Sequence, residues 1–121
     1  MDKRTQELGE IKKEMEREDD TLYAIKNKIR HLEDMEEDIH QARREIDDIL
    51  YHMKEVWRGE HAEDTFWQIE DEVNHYNRKT ACMTTDIQTE LNNEQKKHQQ
   101  NVHALETKQQ DITKEMRLGL E

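Results

Sequence analysis

The feature that most constrains this chain is an apolar stripe that keeps one register for half its length, with no proline anywhere to interrupt it. Counting from Leu8 in alternating steps of three and four gives Leu8, Ile11, Met15, Glu18, Leu22, Ile25, Ile29, Leu32, Glu36, Ile39, Arg43, Ile46, Leu50, Met53 and Trp57. Twelve of the fifteen are apolar. A stripe of period 3.5 over about seven heptads is the signature of a long helix with a coiled-coil seam, and no period-2 strand pattern fits it. The composition, with 31% hydrophobic and 40% charged residues, is shared by coiled coils and disordered chains, and the sustained register decides for the helix.

Near the midpoint the pattern breaks at VWRGEHAEDTFW, residues 56–67, which hold both Trp residues and the only Phe. Gly59 reads as the end of the first helix, in the left-handed conformation glycine adopts most cheaply past a helix C-terminus. A second seam follows: Phe66, Ile69, Val73, Tyr76, Thr80, Met83 and Ile87, then Leu91, Gln95, His98, Val102, Leu105, Gln109, Ile112 and Met116. The step from Ile87 to Leu91 is four where three is due, a stutter that locally unwinds a supercoil. Asp64 or Thr65 would cap this helix if it starts late, and Glu60, Glu63 and Asp64 suit its positive end.

The expected fold is all-α: a long antiparallel two-helix hairpin, coiled-coil-like, in a single domain over 1–121. Helix 1 covers about 3–57, helix 2 about 61–117, and the turn falls at Trp57-Arg58-Gly59. Close to the turn Met35, Ala42, Ile49 and Val56 recur every seven residues beside the main seam, and Trp67 adjoins Phe66. A face that broad exceeds what one partner helix covers, so oligomerisation into a helical bundle is expected to complete the fold, with another copy or another chain. Residues 88–101 hold a single apolar residue, Leu91, and read as a solvated or mobile stretch.

The function classes narrow from charge and chemistry. A formal net charge of −11 speaks against nucleic acid and anionic membranes as partners. The longest apolar run is four residues, Leu22–Ile25, so membrane insertion is not expected. The N-terminal segment has no apolar stretch of a cleaved signal peptide, which predicts synthesis in the cytosol and, if the protein leaves the cell, a route without such a signal. Cys82 has no second cysteine to pair with and reads as a small packing residue beside Met83. No phosphate loop, Gly-x-Ser-x-Gly or Cys-x-x-Cys occurs. An enzyme is not expected, nor a cofactor.

Two Glu-x-x-His pairs, Glu37/His40 and Glu72/His75, have the spacing of di-iron carboxylate bundles, but neither lies on its main seam, and no metal site is expected. His98, on the seam, reads as a polar core residue. Glu18, Glu36 and Arg43 on the first seam serve as register devices or solvated breaks, or as charge partners for another chain. Tyr51 and Glu55 read as an ordinary pair one helical turn apart.

The spacing Trp57-x-Gly59-x-x-Ala62-x-x-x-Phe66 resembles the central turn of the Trp-x-Gly (ESAT-like) family, small helical hairpins exported by type VII secretion systems of Gram-positive and mycobacterial cells. The arms are longer than is usual in that family. The Tyr-x-x-x-Asp/Glu export signal after the second helix is missing, since Tyr76 is followed four residues later by Thr80. The chain looks more like the small α-helical accessory proteins of LXG-domain toxins, of the kind that lacks the signal. That resemblance implies a chaperone-like role: binding the helical N-terminal domain of an LXG-type toxin, with a second small helical accessory protein as a further partner, and co-export with it. The residues expected at the turn and partner surface are Met35, Ile49, Met53, Val56, Trp57, Gly59, Ala62, Phe66 and Trp67. A self-sufficient secreted homodimer and a structural coiled-coil scaffold are the alternatives.

Overall fold

The computed structural model describes residues 2–119; Met1, Leu120 and Glu121, which fall inside the predicted domain, lie outside the described residues. Two helices account for nearly all of it: α1 over Lys3–Val56 and α2 over Glu60–Gly119, packed against each other as an antiparallel hairpin, with no strand among the described residues. The predicted bounds are met to within two residues. Residues 88–101 lie within α2 as continuous helix.

The caps follow from the residues at the ends. Asp2 precedes α1; its carbonyl accepts from Gln6 N at 3.1 Å and its carboxylate lies 3.4 Å from Arg4 N, the arrangement of an N-cap aspartate. Arg4 in turn donates from Nη1 to the carbonyl of Glu115 at 3.3 Å, so a cation sits at the negative end of α2. At the turn, Trp57 N still donates to Met53 O at 2.8 Å, and helix α1 stops at Val56. Gly59 does not cap α1 as expected. It immediately precedes α2, with its carbonyl accepting from Glu63 N at 3.2 Å, and is therefore the N-cap of the second helix. Its φ is +129°, which an L side chain rarely adopts. Helix α2 thus starts before Asp64 and Thr65, and neither caps it.

Cα packing divides the hairpin into two units, one of Met1–Ile29 with Glu90–Glu121, the other of Arg30–Thr89 around the turn. In the first, the terminal unit, Ile11, Ile25, Leu91 and Ile112 are buried, and Leu8, Met15, Leu22, Val102, Leu105 and Met116 are half-buried on the predicted seams. Glu18 and His98 face each other there. His98 Nδ1 donates to Glu18 Oε2, and Asn101 Nδ2 donates to Glu18 Oε1 at 3.2 Å. Glu18 is thus satisfied within its own chain. Of the two readings, a register device and a charge partner for another chain, Glu18 fits the first, and His98 is half-buried at its seam position.

In the second, the turn unit, only Leu32, Leu50 and Phe66 are buried among the described residues. Here the second seam departs from expectation. Inward positions on α2 run Phe66, Ile69, Val73, Asn77, Thr80 and Thr84, while Tyr76 and Met83 are exposed at 73% and 56%. Two successive steps of four already occur at Ile69–Val73–Asn77, ahead of the stutter predicted at Ile87–Leu91. The cause lies across the interface. Helix α1 offers Glu36 and Arg43 at this level, and they share a recess of about 220 Å³ with Asn77, Thr80 and Thr84. Small polar side chains meet them without burying a Tyr or Met beside a charge. Thr80 and Thr84 also donate back to the carbonyls of Tyr76 and Thr80 at 2.8 Å, so neither hydroxyl is left unpaired.

Candidate functional site

The turn is built by one aromatic pair. Phe66 is buried at 5%, and its ring lies 6.2 Å from that of Trp57 at an interplanar angle of 47°, within the range of tilted aromatic contacts. Ala62 and Met53 are half-buried beside them. Lys54 and Glu70 form an ion pair between the helices at the same level; both are substantially exposed, so the pair adds little stability. Phe66 therefore works inside the hairpin, whereas Trp57 remains half-exposed.

The exposed apolar residues are strongly segregated. Of twelve large hydrophobic side chains left exposed among the described residues, ten lie in the turn unit. Their placement follows from helix geometry. Met35, Ile49 and Val56 each come one residue before a position on the α1 seam, namely Glu36, Leu50 and Trp57. Tyr76 and Met83 each come one residue before an inward position on α2, namely Asn77 and Thr84. One residue is a rotation of about 100°. In an antiparallel pair, reversal of the helix direction reverses both the sense of rotation and the inward direction. The same offset on both helices therefore points to the same side of the pair. Met35, Ile49 and Val56 join Tyr76 and Met83 as one face, with Ile46 and Ile87 at its inner edge.

Trp67 does not join that face. It follows the inward Phe66, an offset of opposite sign, and lies on the other side of the turn. There, with Trp57, Phe66 and the Lys54–Glu70 pair, it lines a recess of about 460 Å³. Trp67 therefore widens the stripe beside Phe66 on the side of the hairpin opposite Met35 and Ile49. Sequence reasoning also missed Tyr76, Met83 and Ile87 as surface residues by assigning them to the interior. The signal that could have found them was the polar pair Glu36 and Arg43, which leaves Ile39 as the one apolar side chain between them on that stretch of the α1 seam.

Cys82 is exposed, so it does not pack in the interior as expected. Glu37, His40, Glu72 and His75 are all exposed as well, and no group of three or more His, Cys, Asp or Glu suited to a metal ion occurs among the described residues. No helix among the described residues is long and apolar enough to cross a membrane. Comparison with family models, with curated proteins and with solved structures finds no match to this chain.

Proposed function

We propose that this chain is an accessory, chaperone-like protein that binds the helical N-terminal domain of an LXG-type toxin and promotes its export by a type VII secretion system. The single observation that carries a helix-binding role is the apolar face of the turn unit, which presents two parallel rows of Met, Ile, Val and Tyr side chains at heptad spacing to solvent. Rows of this spacing accept the ridges of further helices and complete a bundle. The narrower assignment to LXG-type toxins rests on the resemblance at Trp57, Gly59, Ala62 and Phe66, on a turn in which Trp57 meets Phe66, and on a glycine held at positive φ. The proposal includes co-export with the partner from the cytosol.

The test is the mass in solution by light scattering of the purified chain, alone and mixed with helical products of neighbouring genes. A stable 1:1 complex with a toxin's helical domain is the expected result. A tight homodimer that ignores every neighbour would refute the accessory role and favour a self-contained dimer or scaffold.

A further inference from the structure

The turn unit is set apart by charge as well as by apolar exposure. Residues 30–89 carry seven Lys and Arg against sixteen Asp and Glu, a formal −9 of the chain's −11. The remaining residues are nearly balanced at −2. Acids also line the apolar face itself. Asp38 and Glu45 lie between Met35, Ala42 and Ile49 on the outer edge of α1, each three or four residues from its neighbours in the stripe. Glu72 and Asp86 hold the equivalent edge of α2, where Lys79 is the one cation. Positions three and four apart on a helix are surface neighbours, so these carboxylates rim the face.

From this charge and geometry we infer that the apolar face of the turn unit docks a basic helical partner, one or two amphipathic helices with an apolar stripe of heptad spacing flanked by Lys and Arg. The inference rests on the helix-binding role proposed above and adds the chemistry of the partner. The exposed side chains of Met35, Ile49, Val56, Tyr76 and Met83 give this face a contiguous apolar area of the kind that marks an interaction site. Area alone would admit a second copy of this chain. Charge disfavours it: two copies face to face would bring two −9 units together and set four rim carboxylates per copy against four more, with one Lys79 each to offset them. A partner with basic flanks turns the same rim into attraction and gains in association rate.

The experiment uses the full chain and two synthetic heptad peptides with identical Leu seams, one flanked by Lys and the other by Glu, with binding read by calorimetry and self-association by sedimentation. The Lys peptide is expected to bind at least about tenfold tighter than the Glu peptide, and to weaken by a similar factor as salt rises from about 0.05 to 0.5 M. The double substitution Ile49→Asn with Met83→Asn, at two exposed positions, should abolish that binding while leaving helicity intact. Glu45→Lys with Asp86→Lys should shift preference toward the Glu peptide. Equal binding of both peptides would overturn the charge selection and leave the helix-binding role standing. Lys-peptide binding that survives Ile49→Asn with Met83→Asn would show general attraction to an acidic chain and overturn the site. If neither peptide binds and the chain sediments as a dimer that those Asn substitutions break, the occupant is a second copy. If neither binds and the chain stays monomeric, both the inference and the proposed function fail.

Discussion

The Glu18, His98 and Asn101 cluster offers the most direct test of how this hairpin holds its register. Both Glu18 oxygens are engaged, one by His98 Nδ1 and one by Asn101 Nδ2 at 3.2 Å, and the Glu18 and His98 side chains retain only 21% and 24% of their exposure. Glu18→Ala removes two hydrogen bonds and leaves two donors half-buried without an acceptor. At about 0.5–1.5 kcal/mol per bond the loss should be about 1–3 kcal/mol. His98→Ala removes one bond and should cost about 1 kcal/mol. Because the two residues share an interaction, the double variant should lose less than the sum, with a coupling of at least about 0.5 kcal/mol. Glu18→Leu, His98→Leu and Asn101→Leu together should instead raise stability above the parent, since each side chain then buries apolar surface on the seam or, for Asn101, beside it, and no donor is orphaned. That triple variant should also lose register specificity and associate more readily, as polar seam residues fix pairing at some loss of stability. The assay is urea unfolding followed by helical circular dichroism, with sedimentation for mass. A coupling of zero, or a triple variant less stable than the parent, would show that the cluster does not lock the two helices as described.

Three further outcomes are expected. Phe66→Ala should destabilise by about 3 kcal/mol, because it empties one of three buried apolar sites in the turn unit, and urea unfolding that matches the parent would contradict the turn-centred packing. Gly59→Ala should lose about 1–2 kcal/mol through backbone strain alone, since an added Cβ meets nothing within 4 Å, and Gly59→Val should lose more; equal stability of Gly59→Ala and the parent would refute the positive φ. Cys82 should react with a maleimide in the native protein as fast as in urea, and protection relieved only on unfolding would place it in an interface instead.

The two helices, their bounds and the turn were legible because nothing in the chain competes with helix: no proline, three glycines, and a first seam with twelve apolar positions in fifteen. The second seam was legible only where apolar residues left a single choice of register, as at Phe66, Leu91 and Ile112. Between Val73 and Leu91 steps of three and four give two readings one residue apart, and hydrophobicity favours Tyr76 and Met83 over Asn77 and Thr84. The helix opposite reverses that choice by presenting Glu36 and Arg43, a fact about pairing that α2 read alone does not contain. The same limit applies to Trp67. Adjacency to Phe66 reveals its proximity to the turn, but the side of the hairpin it takes depends on the sign of one residue's rotation. Gly59 was correctly marked as the reversal point and assigned to the wrong helix, because a glycine between two helices serves either end equally well in sequence.

The polar midsection of the turn unit has a consequence for how the protein opens. Helix α1 has no buried side chain between Leu32 and Leu50, and α2 has none between Phe66 and Thr89. Backbone amides along those stretches are held by helical bonds with little packing behind them, so their deuterium uptake should follow local openings of low free energy rather than global unfolding. A partner seated on the apolar face would supply the missing cover at that place. Slowed uptake confined to residues 33–49 and 67–89 would then be the footprint of binding, written in the amides rather than in a change of shape.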